Sequence, residues 1–302
     1  MFRYLERSEN NARLIDAGLR IALTRSETSA AEWQSILATS ASREAYIMRH
    51  STFQTAKVID FLLRDTANPS SVLSVIKSAR DNARLVRTAL TREVWEATNV
   101  CWMTLQTMLA RPVKESDLPE VLAAIRQQNA IVRGAMTGTM LRNDGYNFAT
   151  LGTFLERADN TARILDVKYY LLLPSVAQIG SSLDNMQWET ILRSVSAQRA
   201  YQWLNGADIS PRKIAQFLIL HRHMPRSLIF CCNKIAQSLG HIGHEYGSTS
   251  TSYDLANGLF NRLDLANIDQ VFDAGLHEYI LRFLADNNAL GQQVQIDYRF
   301  RE

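Results

Sequence analysis

Glu6, Glu9, Asn10, Arg13 and Asp16 recur further along the chain as Glu156, Asp159, Asn160, Arg163 and Asp166. On a helix turning 100° per residue, each set falls within an arc of roughly 120°. Arg7 and Arg157 directly follow the first glutamate of each set. Carboxylates, guanidiniums and amides on one stripe can receive a ligand's amine and carboxylate. They can equally lock helices together as buried ion pairs, or form a solvated face of i, i+4 pairs worth a few tenths of a kcal/mol each. Survival of the same residue types in the same order, twice in one chain, argues against a merely solvated face, because surface positions drift after duplication. A polar cleft lined by both stripes and a set of structural ion pairs both remain open.

A second polar element is the segment Ser78-Ala-Arg-Asp-Asn-Ala-Arg-Leu-Val-Arg87, with Arg80, Asp81, Asn82 and Arg84 as candidate site residues. Lys77, Arg80, Arg84 and Arg87 share one face, and such a ridge suits carboxylate or phosphate, which arginine forks bind in a bidentate way. The alternative is that these arginines neutralise the acidic stripe. Pro225-Arg226-Ser227 opens a helix where Arg226 and the terminal amides could hold an anion. His221, His223, His241, His244 and Glu245 lie close in sequence, but nothing completes a zinc pattern and the di-iron Glu-x-x-His motif is absent. Neither a metal nor a cofactor is expected, and there is no glycine-rich phosphate loop, dinucleotide fingerprint or nucleophile elbow. Trp33, Trp95, Trp102 and Trp188 read as core residues.

The elements that position these residues come from an internal repeat. Tyr4-Leu-Glu-Arg-Ser-Glu-Asn-Asn-Ala-Arg-Leu-Ile-Asp16 reappears as Phe154-Leu-Glu-Arg-Ala-Asp-Asn-Thr-Ala-Arg-Ile-Leu-Asp166, an offset of 150. At an offset of 155, Trp33, Ile36-Leu37 and Ala45-Tyr46 match Trp188, Ile191-Leu192 and Ala200-Tyr201. At 156, Lys57, Phe61-Leu62 and Pro69 match Lys213, Phe217-Leu218 and Pro225. Such ordered matches with small drifts imply tandem duplication of a unit of about six helices. The expected class is therefore all-α: a helical bundle of two repeats, 1–145 and 146–302, packed together as one pseudo-two-fold domain. Helices are expected near 2–25, 30–49, 51–66, 69–88, 91–110 and 116–142. In the second repeat they are expected near 146–173, 184–205, 210–223, 225–240, 250–264 and 267–286. Pro174 is among the breaks; Asn68-Pro69 and Ser210-Pro211 read as caps followed by Pro at the first helical position. Val294–Phe300 alternates in period two and reads as a short strand or extended arm. The second motif helix has a lead-in from Tyr146 that the first lacks, so either the first helix is shorter or the chain starts at an internal Met.

Composition sets outer limits. Thirteen Gly and six Pro in 302 residues leave few turns, which favours long helices. The net charge of +3 is spread without a basic block, so nucleic-acid binding has no support. Cys101 and the adjacent Cys231 and Cys232 form no C-x-x-C and fit a reduced compartment. The longest apolar run, Tyr169–Leu173, is far short of a membrane span, so a cytoplasmic location without membrane contact is expected.

The twice-present Leu-Glu-Arg-x-(Glu/Asp)-Asn-x-Ala-Arg motif resembles the alpha-E family of bacterial helical proteins. Ser78–Arg84, Arg92-Glu93-x-Trp95 and Pro225-Arg226-Ser227 also resemble family segments, so the likeness spans nearly the whole chain. The resemblance implies a genomic setting beside a circularly permuted ATP-grasp protein and a transglutaminase-like protein. That company implies an accessory or substrate-binding role in forming peptide or amide bonds. The alternatives are an enzyme of the same pathway, with Glu6 or Glu156 as general base, or a purely structural interaction protein.

Overall fold

A computed structural model describes residues 1–22, 29–171 and 182–300. Among these residues the chain is all-helical, without strands. It divides into two compact units, Met1–Thr153 and Phe154–Glu302. The division falls inside one long helix, downstream of the boundary expected from the repeat. The helix ends expected at 25 and 173, and the break at Pro174, lie outside the described residues.

In the first unit the motif helix is α1 (Phe2–Ala22), followed by α2 (Ser29–Thr39), α3 (Arg43–Ile47), α4 (Thr55–Leu63), α5 (Val72–Leu85), α6 (Arg92–Met108) and α7 (Leu118–Thr139). Short 3-10 turns at Arg87–Ala89 and Glu115–Asp117 precede α6 and α7. Helix α1 packs against α2, α4, α5 and α7. Both its apolar and its polar face carry buried residues, Leu5, Ala12 and Ile15 on the one and Glu6, Glu9 and Asn10 on the other. Helix α8 (Asp144–Leu171) begins in the first unit and carries the second motif. In the second unit follow α9 (Ser182–Ser194), α10 (Gln198–Asn205), α11 (Pro211–Leu220), α12 (Leu228–Tyr246), α13 (Thr251–Asp264), α14 (Ile268–Asp273) and α15 (Leu276–Asp297).

The structure divides the segments 30–49 and 184–205, each expected as one helix. Ala41 and Ser196, both at φ 53°, take the left-handed conformation and end α2 and α9. In each case the following amide donates back across the turn, Ser42 N–H to Leu37 O (2.8 Å) and Ala197 N–H to Leu192 O (2.7 Å), as at a capped helix C-terminus. Downstream, the buried Tyr46 hydroxyl donates to Thr52 O at 2.8 Å and that of Tyr201 to Asp208 O at 2.9 Å. The segment 267–286 is likewise divided, at Gly275, whose φ of 91° suits glycine.

Pro69 does not open α5. Asn68 Oδ1 accepts from Ser70 N–H and its Nδ2 donates to Phe61 O, both at 3.0 Å, so Asn68-Pro69 forms a turn. The cap is Ser71, which accepts from Ser74 N–H. Its counterpart Ser227 accepts from Phe230 N–H, so α12 starts after Pro225-Arg226. At Ser210-Pro211 the proline does occupy the first turn.

The C-terminal segment corrects the strand or arm expected at 294–300. Helix α15 runs through Asp297, with Asn287, Leu290 and Val294 buried along one face. That helical register continues from upstream and overrides the local alternation. The end of α15 clasps α13: Asp297 Oδ2 accepts from Ser252 N–H and its Oδ1 from Gln293 Nε2, each at 2.7 Å. Burial pushes the Asp297 carboxyl upward, but these hydrogen bonds outweigh it and hold the group below its ordinary 3.8. A carboxylate lowered by folding contributes stability that is complete above its unfolded pKa of about 4 and is lost as pH falls through the lower folded value. Asp297→Asn should therefore flatten the acid limb of the stability–pH curve. An unchanged acid limb in urea titrations of the variant would remove Asp297 from that linkage.

Candidate functional site

The first stripe is not solvated. Glu6 and Glu9 keep only 1% exposure. Arg13, one turn along α1, donates to Glu9 Oε1 through Nε (3.1 Å) and Nη2 (2.6 Å). From α7, Arg133 pairs with the other Glu9 oxygen and lies 3.6 Å from Glu6. Further along, Arg126 reaches Asp16 at 4.0 Å, and Arg20 also contacts Asp16. Glu6 and Glu9 are met by Arg133, and Asp16 by Arg126, so α7 runs antiparallel along the stripe. A buried charge requires such partners, since desolvation costs several kcal/mol per ion. The guanidiniums keep an outer edge in solvent, with Arg133 at 28% exposure.

The second stripe lies on α8 in the same order. Arg163 grips Asp159 with a fork, Nε to Oδ2 at 2.7 Å and Nη2 to Oδ1 at 3.2 Å. Asp166 Oδ1 is 2.5 Å from His277 Nδ1 of α15. Glu156, Arg157, Asn160 and Arg226 are buried. Arg157 Nη1 donates to Pro225 O at 3.4 Å, and its guanidinium lies over the Phe154 ring.

Equivalent backbone groups anchor the two motif helices. Asn11 Nδ2 donates to Ser70 O at 2.7 Å, and Thr161 Oγ1 donates to Arg226 O at 2.9 Å. Asn129 Nδ2 of α7 donates to Ser8 Oγ, which donates on to Leu5 O. In the second unit Ala158 replaces Ser8, and Asn287 Nδ2 of α15 donates directly to Leu155 O at 3.1 Å. The hydroxyl in the first unit thus acts as a relay to the matching carbonyl.

The ridge on α5 does not neutralise the stripe. Arg80 Nε donates to Asn99 Oδ1 of α6 at 2.8 Å, and Lys77 pairs with Asp81 on its own helix. Asn82 is half-buried and Arg84 exposed, while Arg87 lies over the Trp95 ring. Arg7 is half-buried in α1. The stripe's partners from neighbouring helices, Arg126, Arg133 and His277, were not apparent from the sequence. A signal for two of them existed in the spacing of Arg126, Asn129 and Arg133 beside the buried positions Ile125 and Val132 of α7. Trp33 and Trp188 are core residues, but Trp95 and Trp102 are only half-buried on α6. His241, His244 and Glu245 are exposed at the end of α12, and among the described residues no cluster of three or more metal-ligating side chains occurs. The three cysteines are buried thiols that form no disulfide, and burial pushes Cys101 up to about 12.

The Alpha-E family model, described as a predicted alpha-helical domain with a conserved ER motif, matches residues 1–298. The chain belongs to the Alpha-E family. In this Alpha-E chain the Glu-Arg dipeptide occurs at Glu6-Arg7 and Glu156-Arg157, the two helix positions just described. No curated protein and no solved structure matches the chain. Among the described residues, no Alpha-E helix is long and apolar enough to cross a membrane.

Proposed function

We propose that this Alpha-E protein is a non-catalytic partner of an ATP-grasp amide-forming ligase, using its Glu-Arg helices to hold an amino-acid or peptide substrate. The same reading has the chain arising by tandem duplication, with a transglutaminase-like protein acting on the same amide chemistry. One observation carries it: in each unit a carboxylate on the motif helix fixes an arginine one turn later. The guanidinium of that arginine stays partly open to solvent. A guanidinium fixed in advance binds a carboxylate with little further loss of side-chain freedom. The paired left-handed residues Ala41 and Ser196 and the paired anchors at Asn11 and Thr161 support the duplication.

A catalytic reading has one observation in its favour, the Asp166–His277 contact. A carboxylate that orients an imidazole is a common acid–base arrangement. Glu6 is a poor general base, being sealed from solvent beside Arg133.

The test is co-expression with the neighbouring ATP-grasp protein, comparing wild type with a Glu156→Gln, Arg163→Gln double variant. A complex whose ligase activity falls in the folded variant supports the proposal. Full ligase activity in the absence of this chain refutes it.

A further inference from the structure

We infer that the two copies of the motif have diverged in task, the first into a structural clamp and the second into the ligand site, where Arg163 and Asn160 receive the carboxylate of an amino acid or peptide. This rests on the substrate-holding reading above and assigns it to one copy and one chemical group.

The divergence begins on the outer helices. Helix α7 places Arg133 one turn beyond Asn129; α15 has Gly291 one turn beyond Asn287. In the first unit two guanidiniums therefore close over Glu9. In the second, Asp159 has Arg163 as its ion-pair partner among the described residues and keeps 17% exposure, against 1% for Glu9. The strap present in the first copy is a glycine in the second.

The remaining bonds point to an acceptor ligand. Arg163 is 27% exposed and grips Asp159 through its Nε and Nη2 edge, so its Nη1 amino group has no partner among the described residues. The guanidinium is thus held on one side and presents its other edge outward, the geometry that takes a carboxylate with two hydrogen bonds. One turn earlier on the same face, Asn160 is 94% buried by its 6% exposure, and its Nδ2 is sealed without an acceptor. The equivalent Asn10 Nδ2 is sealed as well, so the contrast between the copies rests on Arg163 and the missing strap. A buried donor left unmade is costly, and an incoming oxygen removes that cost when the amide turns to meet it. One turn later, Asp166 commits Oδ1 to His277, and its Oδ2 has no partner among the described residues. That oxygen is placed to accept the ammonium of a zwitterionic ligand. Acceptor oxygens on Arg163 and Asn160, with an ammonium on Asp166, describe an α-amino acid or a short peptide. Phosphate would meet the guanidinium but would be repelled by Asp166.

The experiment uses the isolated full chain, so its failure is separate from failure to bind or activate the ligase. Calorimetric titration would be run with the twenty proteinogenic amino acids, L-alanyl-L-alanine and inorganic phosphate. The binding amino acid or peptide would be repeated as its carboxamide. Saturable binding is expected, weakened about tenfold or more by Arg163→Gln and by amidation of the ligand carboxylate, and weakened more by Arg163→Gln than by Arg13→Gln. Wild-type arginine side-chain N–H resonances should shift on titration, which reads the site even where a variant fails to fold. Absence of saturable binding by these probes, tighter binding of phosphate, or equal losses from Arg13→Gln and Arg163→Gln would each overturn the inference.

Discussion

Replacing Glu9 by glutamine should cost the protein about 3 kcal/mol, whereas replacing the equivalent Asp159 by asparagine should cost about 1 kcal/mol or less. Glutamine keeps the shape of Glu9 but removes the charge that Arg13 and Arg133 share. Both guanidiniums would then face an uncharged amide at a position that is 1% exposed. Their outer edges reach solvent, so hydration recovers part of the loss, which places the cost at the lower end of the range for breaking a buried pair. Asp159 makes a single i, i+4 fork that remains partly wet on both sides, and partly wet pairs are worth little. Urea denaturation of the two variants measures the contrast. Equal shifts in midpoint would mean that the first stripe is no more a clamp than the second.

That contrast also shows which parts of the site could be read in advance. The stripe residues repeat, so the sequence exposes them as a set. What decides their chemistry is the partner helix, and the partners do not repeat: Arg133 and Gly291 differ although Asn129 and Asn287 match. A pattern search for repeated polar residues finds the charges and misses their neutralisers. The α5 ridge shows the same limit from the other side. Four basic residues on one face look like counter-charges for the stripe, yet they turn toward α6, toward Asp81 or into solvent, because helix rotation is set by burial of Val72, Val75, Ile76, Ala79 and Ala83. The start of α11 was legible at Ser210-Pro211, whereas α5 and α12 begin beyond Pro69 and Pro225, at the caps Ser71 and Ser227. Helix ends were hidden at Ala41 and Ser196, where ordinary residues adopt the left-handed conformation that glycine would have announced.

Trp33→Ala should be the other large loss, about 4 kcal/mol, because it empties a fully buried aromatic site and strands a polar group. Trp33 is 0% exposed on α2, and its Nε1 donates to Thr55 Oγ1 at the start of α4 at 2.9 Å. Its six-membered ring lies against Gly18 of α1, where an added Cβ would stand 3.3 Å from two ring atoms. The residue thus joins α2 to both α1 and α4, and the absence of a Cβ at Gly18 leaves room for Ile36 Cδ1 first and for the Trp33 ring beside it. Trp95 provides the internal comparison, since the sequence groups it with Trp33 but the structure leaves it half-buried with Arg87 over its ring. Trp95→Ala removes a half-buried ring and one cation–π contact but leaves the buried side of α6 intact, so its cost should be half as large, about 2 kcal/mol. Thermal and urea unfolding of both variants, followed by near-ultraviolet dichroism, would rank them. A Trp95 variant as damaged as the Trp33 variant would mean that α6 is held by its tryptophan face and not by Val94, Thr98, Cys101 and Leu105 on the buried side.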